Sequence, residues 1–390
     1  MSTKSAVAFS DLPDSGEAGE ALASQLSKKF ADQSPDVLIV FSSSKHKYDD
    51  LLKTLEEKCK PKLLIGCSSA GEFIGGAKGE GAVSVLALQS KDMFFNIVKG
   101  ENLSGDRENA AKQLASGLTG SKKPEFKYRS VLLLADALTG YTDELIETLN
   151  NLTAGAYQFF GGGAGDDANF SKTHVFCGTK AITDGVVGLE ILSHSPVGIG
   201  VQHGWEPTGE LMRVTEAEGM KLVSLNSIPA AEIFADHASK TGQTFNSAEP
   251  IPFFLHNTLA IQTKAGFKLR VPLAVQPDGS VMCASNIPTG STLSFMKATS
   301  DSSVAAAKTA IDSALKQMEG HKPGAALFFD CVATRLRMGQ DFALELDTLE
   351  KALGETANMA GCNTYGQIAR VDGQFSGFHN CTAVVCVFPG

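Results

Sequence analysis

DVLIVFSSS, residues 36–44, is an apolar, β-branched run of strand type that ends in serines. YDDLLKTLEEKC (48–59) follows it, with Leu51, Leu52 and Leu55 placed for one face of a helix. Next come KLLIGCSSAGEF (62–73), a strand running into a Gly-containing turn, and a second apolar run, AVSVLAL (82–88). The same order returns in SVLLLADALTG (130–140), TDELIETLNNL (142–152), AYQFFGGGAGDD (156–167) and GVVGLEIL (185–192). It returns again in AALFFDCVATR (325–335), LELDTLEKALGE (344–355), ANMAGCNTYGQI (357–368) and CTAVVCVF (381–388). Three copies of one order predict an α/β fold: strand–helix–strand–strand repeats forming packed mixed sheets flanked by helices. A crossover helix joins the first two strands of each copy, so those strands are expected to pair in parallel.

The turns align without gaps. Gly66–Glu72 matches Phe160–Asp166 and Gly361–Gln367, each with a Gly (Gly71, Gly165, Gly366) before an acid or its amide. A sharp turn with φ > 0 at Gly and a side-chain acceptor after it explains this pattern, so the turns read as architectural. Between the second and third copies, roughly residues 195–320, the pattern changes. AVQPDGSVMCA signals a hairpin, AAEIFADHASK an amphipathic helix, and VAAAKTAIDSALKQM an Ala-rich helix leading into the third copy. The expected division is an N-terminal extension (1–35), a first domain (36–225) and a second domain (226–390). No low-complexity linker marks the boundary, so tight packing is expected.

A net charge of −9 with no basic stripe argues against nucleic acid or an anionic membrane as partner, because neutralising phosphates takes clustered cations. The start lacks a continuous apolar segment of the signal-peptide kind, and no apolar stretch approaches the roughly 20 residues of a spanning helix. The eight cysteines never fall as C-x-x-C. Scattered through apolar strands, they read as reduced thiols of a cytoplasmic protein. No P-loop, G-x-G-x-x-G, H-E-x-x-H or G-x-S-x-G stands at a usable junction.

GCSSAGEF with EGAVSVLAL, FFGGGAGDD, and GVQHGWEPTGELMRVTEAEG resemble the N-terminal half of FIST-domain proteins. ALFFDCVATR, AGCNTYGQI and FHNCTAVV resemble the C-terminal half. The resemblance runs from about residue 36 to the end. It implies a bacterial-type sensory module that binds a small ligand such as an amino acid and signals through a partner protein. The partner expected is a histidine kinase or a cyclic-nucleotide enzyme, since no such segment occurs in this chain, and a homodimer is among the assemblies expected. One branch is similar to NosP-type sensors, which bind haem and respond to nitric oxide. Gln367 departs from the family's usual Glu; were that acid a ligand contact, its charge would be missing here.

Candidate ligand-binding residues follow from position and type. Cys331 and Arg335 come just after an apolar strand, where α/β sheets place ligands, and a guanidinium suits a carboxylate. Tyr365, Gln367, His379 and Asn380 cluster in the third copy and are expected to line the same cleft. A Cys331 nucleophile with His379 as base is the enzyme alternative. For a haem-sensor alternative, His203 in VQHGW is the candidate iron ligand, with His174, His194, His237 and His256 competing. Asp166, Asp167 and Asp184 are weaker candidates for a cation.

Overall fold

The computed structural model describes residues 3–30, 33–264, 266–370 and 377–390. Parts of the expected divisions, residues 1, 2, 31 and 32 in the extension and 265 and 371–376 in the second domain, lie outside the described residues. The first copy comprises β1 (Thr3–Ser10), α1 (Ser15–Phe30), β2 (Val37–Ser43), α2 (Tyr48–Cys59), β3 (Leu63–Ser69), a hairpin of β4 (Glu72–Ile74) and β5 (Ala77–Gly79), and β6 (Val83–Ser90). The second repeats this order. It runs β7 (Met93–Glu101), α3 (Arg107–Ser116), β8 (Tyr128–Ala135), α4 (Thr142–Leu152), β9 (Gln158–Gly163), hairpin β10 (Val175–Cys177) and β11 (Lys180–Ile182), and β12 (Gly185–Ser193). The third opens with β13 (Gly198–Gln202) and is then interrupted.

The interruption carries β14 (Glu206–Pro207), β15 (Met212–Glu218), β16 (Lys221–Leu225), β17 (Ile228–Pro229), α5 (Ala230–Thr241) and α6 (Ile251–Phe254). It continues through β18 (Thr258–Thr263), β19 (Gly266–Arg270), β20 (Pro272–Val275), β21 (Val281–Cys283) and β22 (Thr292–Lys297). The third copy resumes with α7 (Ser300–Gln317), β23 (Pro323–Cys331), α8 (Val332–Met338), α9 (Phe342–Leu353), β24 (Asn358–Thr364), hairpin β25 (Gln367–Arg370) and β26 (Gly377–His379), and β27 (Ala383–Pro389). The residues expected as an extension thus include β1 and α1 of the first copy, β1 pairing along its length with β6. The division expected at 225/226 falls inside the inserted sheet, where β15 and β16 pair with β22 and β21 beyond it.

Each copy builds one sheet in the same order, first–last–second–third strand: β1-β6-β2-β3, β7-β12-β8-β9 and β13-β27-β23-β24. The parallel pairs expected inside each copy are present as β2/β3, β8/β9 and β23/β24. Each sheet is completed by a hairpin from another copy: β10–β11 pairs with β3, β25–β26 with β9, and β4–β5 with β24. The exchange closes a ring in which every copy lends and receives a hairpin.

The central strands are buried on both faces, which is why they read as unbroken apolar runs. Val37, Ile39 and Phe41, Leu132 and Leu134, and Leu327 and Phe329 meet in one core shared by the three sheets. Phe41 and Phe329 pack edge to face across it, centroids 5.5 Å apart. The alternate residues face helices instead: Leu38 and Val40 face α1 and α2, Leu133 faces α3 and α4, and Phe328 faces α7 and α9.

The three turns meet at one end of this core and bond to each other in a cycle. Ala70 N donates to Asn363 O (2.9 Å), Gly165 N to Ser68 O (2.9 Å) and Gly163 N to Gly366 O (2.9 Å). Gly71 and Gly366 have the positive φ expected, +136° and +89°. Gly165 does not: it is glycine because a Cβ there would lie 3.0 Å from Ala70 Cβ and N of the first turn. Close approach between copies fixes that position, not a left-handed backbone.

Candidate functional site

A cavity of about 400 Å³ opens beside the turns, between the second copy, the third copy and the insertion. Its apolar walls come from Leu138 and Tyr141 before α4, Val271 and Leu273 of the insertion, and Val332 and Phe378 of the third copy. Cys331, Tyr365 and Asn380 line it as well. Cys331 lines it as the last residue of β23 and the N-cap of α8, in extended conformation (φ −75°, ψ 140°).

The polar groups of this cavity are fixed by specific partners. Asp143, in the first turn of α4, accepts from Lys268 Nζ (2.8 Å) and from Phe378 N (2.9 Å), and lies 3.5 Å from Arg270 Nη2. Burial pushes its carboxyl up, but the charges of Lys268 and Arg270 and the Phe378 N–H outweigh burial and hold it below the usual range. Arg270 is 4% exposed and is clamped by Nε–H to Asn286 O (2.6 Å) and Nη1–H to Leu269 O (2.9 Å). The Tyr365 hydroxyl donates to Asp166, whose carboxylate also accepts from Phe170, Ser171 and Lys172 N–H at 2.7–2.8 Å. Phe170, half exposed at the lip, stacks on Tyr365 with centroids 4.5 Å apart. Asn380 Oδ1 accepts from Ser285 Oγ (3.1 Å), tying the third copy to the insertion.

The other expected residues are not brought to this cavity. Arg335 ion-pairs with Glu80 and lines a separate cavity of about 420 Å³ with Glu72, Phe342 and Asn363. Gln367 is wholly buried, its Nε2 donating to Thr364 Oγ1 (2.9 Å) and its Oε1 accepting from Thr382 N (3.1 Å). The amide therefore bonds within the turn and to the start of β27, away from the residues that line the cavity. His379 is buried and pushed down to about 3, first by desolvation, so it stays neutral at ordinary pH. Asp143, Arg270 and Ser285 were not singled out from the sequence. Asp143 reads there as an ordinary first-turn helix acid, and Arg270 stands in a strand, FKLR, with no motif around it.

Haem does not fit at His203. Its Nε2 is engaged with Phe267 O (2.9 Å) and its Nδ1 accepts from Trp205 N (3.3 Å), so iron ligation would break one of these bonds. His237 stacks on Phe295 (3.9 Å) and His194 on Phe126 (4.4 Å). Among the described residues no group of His, Cys, Asp and Glu is placed to hold a metal. Asp167 accepts from Ser43 and Ser44, and Asp184 from Ser104.

The sequence matches the FIST N domain over residues 36–228 and the FIST C domain over residues 230–370. An uncharacterized protein of Methanocaldococcus jannaschii is 25% identical over 219 residues, 52% of this chain and 41% of its own length. The chain thus spans less than half of that relative. Among solved structures, a cyanuric acid hydrolase from A. caulinodans aligns over 99% of both chains at 8% identity with a TM-score of 0.31. PurL of T. maritima aligns over 98% of this chain and 73% of its own, at 11% identity and a TM-score of 0.23. Neither likeness is close enough to carry an argument.

Proposed function

The chain belongs to the FIST family, and from that premise we propose that it is a receptor for a small zwitterion with an apolar side chain, of the amino-acid class. FIST domains are associated with small-ligand sensing in signal transduction. The observation that carries the finer reading is the cavity of about 400 Å³, apolar on its walls, with Asp143, Glu144 and Arg270 as its charged groups, of which Glu144 is paired with Arg107 and Asp143 lies against Arg270. Arg270 takes the part expected of Arg335, meeting a ligand carboxylate, and Asp143 meets an ammonium group. The ligand touches both the repeat ring and the insertion. Its differential affinity for two placements of these parts is what shifts an equilibrium that a partner reads.

On this proposal the protein is a receptor, not a catalyst. It works in the cytoplasm through a separate effector of the histidine-kinase or cyclic-nucleotide type, alone or as a homodimer, with no nucleic acid or membrane partner. Isothermal titration against the proteinogenic amino acids tests the ligand class. Binding is expected for apolar members, and Leu273→Trp, which fills the cavity from a partly exposed position, is expected to weaken it at least about tenfold, or about 1.4 kcal/mol. No binding at millimolar concentration, or binding unchanged in a folded Leu273→Trp protein, overturns the proposal.

A further inference from the structure

Cys331 and Cys381 are separated in sequence but joined by the fold. β23 and β27 are antiparallel neighbours, Phe329 opposite Val384, so the end of β23 and the residues leading into β27 meet. Cys331 ends the one strand, and Cys381 sits in the turn before the other with φ +48°. Both thiols are free, and both belong to the same packed cluster under the insertion. The Cys381 thiol and the backbone N–H groups of Ala333 and Cys381 act on the Cys331 sulfur, each favouring its charged form. Cys331 also forms part of the wall of the 400 Å³ cavity, which gives a small reagent a route to it.

We propose that Cys331, on the cavity wall, and Cys381, in the same packed cluster, form a redox-active dithiol, oxidised to a disulfide by small hydroperoxides. These neighbours favour the thiolate of Cys331, drawing it below the ordinary thiol range although burial opposes this, while Cys381 is held protonated. The Cys331 thiolate attacks the terminal oxygen of the hydroperoxide. The O–O bond breaks, the departing alkoxide takes a proton and leaves as the alcohol, and Cys331 becomes a sulfenic acid. The Cys381 sulfur then attacks Cys331; an S–S bond forms, the S–O bond breaks, and hydroxide leaves with the Cys381 proton as water. In total two thiols and one hydroperoxide give a disulfide, an alcohol and water.

The chain contains its own control. Cys67 and Cys362 are also in thiol contact, but both are wholly buried in the shared core and line none of the cavities described. The experiment treats the reduced full chain with hydrogen peroxide, blocks remaining thiols, and maps the peptides by mass spectrometry. A dithiothreitol-reversible link between Cys331 and Cys381 is expected, with Cys67 and Cys362 still thiols. In Cys381→Ser the sulfenic acid has no partner, and a dimedone adduct at Cys331 is expected. Cys331 and Cys381 surviving as thiols, or oxidising separately with no link, overturns the proposal. The mapping of the unsubstituted chain decides it even if the variant does not fold, and it is independent of whether an amino acid binds.

Discussion

Glu72 in the first turn and Gln367 in the third occupy one place in one design and make the same bonds with different chemistry. Glu72 accepts from Ser69 Oγ (2.5 Å) and from Ala82 N (3.0 Å), at the start of its copy's last strand. Gln367 reaches the residue three before it, Thr364, and accepts from Thr382 N, at the start of its own last strand. Both side chains are wholly buried. The acid suffers for this: desolvation pushes it up to about 8, although Ser69 and the Ala82 N–H pull the other way. The amide has no charge to desolvate. The turn therefore needs an acceptor of this length and not a charge, and the third copy meets that need without a dependence on pH.

The pH consequence has a definite sign. A carboxyl whose folded value lies above its ordinary value binds more protons folded than unfolded, so stability falls as pH rises from about 4.5 towards 8. The largest expected effect is in Gln367→Glu. It places a second buried acid in the ring and turns the Thr364 hydroxyl away from Asp330 O, which it now serves. A loss of about 3 kcal/mol at pH 8, mostly absent at pH 5, is expected in urea unfolding. Equal midpoints at the two pH values would show that the third turn tolerates a charge the first does not. Glu72→Gln is the reverse exchange and should gain about 2 kcal/mol at pH 8 with a flatter pH profile.

A smaller gain, about 1 kcal/mol at pH 8, is expected for Glu345→Gln. Glu345 is pushed up by burial and by the charge of neighbouring Asp330, itself raised by burial. If this variant alone removes the slope, Glu72 is not its source. Ser69→Ala should cost about 1 kcal/mol and raise the Glu72 carboxyl further, read as a steeper alkaline fall in stability. No change would mean that the Ala82 N–H suffices for that carboxylate.

The repeat was legible because its strands are buried on both faces, and such strands print continuous apolar runs that a turn interrupts at fixed spacing. β1 was missed for the opposite reason. It is an edge strand with an alternating pattern, TKSAVAFS, and edge strands carry a weaker signal than central ones. Half of the expected ligand-binding residues, Cys331, Tyr365 and Asn380, do line the main cavity. Arg335 was placed beside them by its nearness in sequence to Cys331, yet α8 carries it to the other side, to Glu80.

Legible in the chain of residues alone were the three copies, their parallel strand pairs, the hairpin and first helix of the insertion, the Ala-rich helix that follows it, and the family. All of these rest on local periodicity or short motifs. Folding in three dimensions set the exchange of hairpins, the close approach that requires Gly165, and the meeting of Asp143 with Arg270 and of Cys331 with Cys381. Such contacts join residues far apart in the chain. Their free energy comes from burial and pairing across copies, and no local pattern of residues encodes which distant partner will supply it.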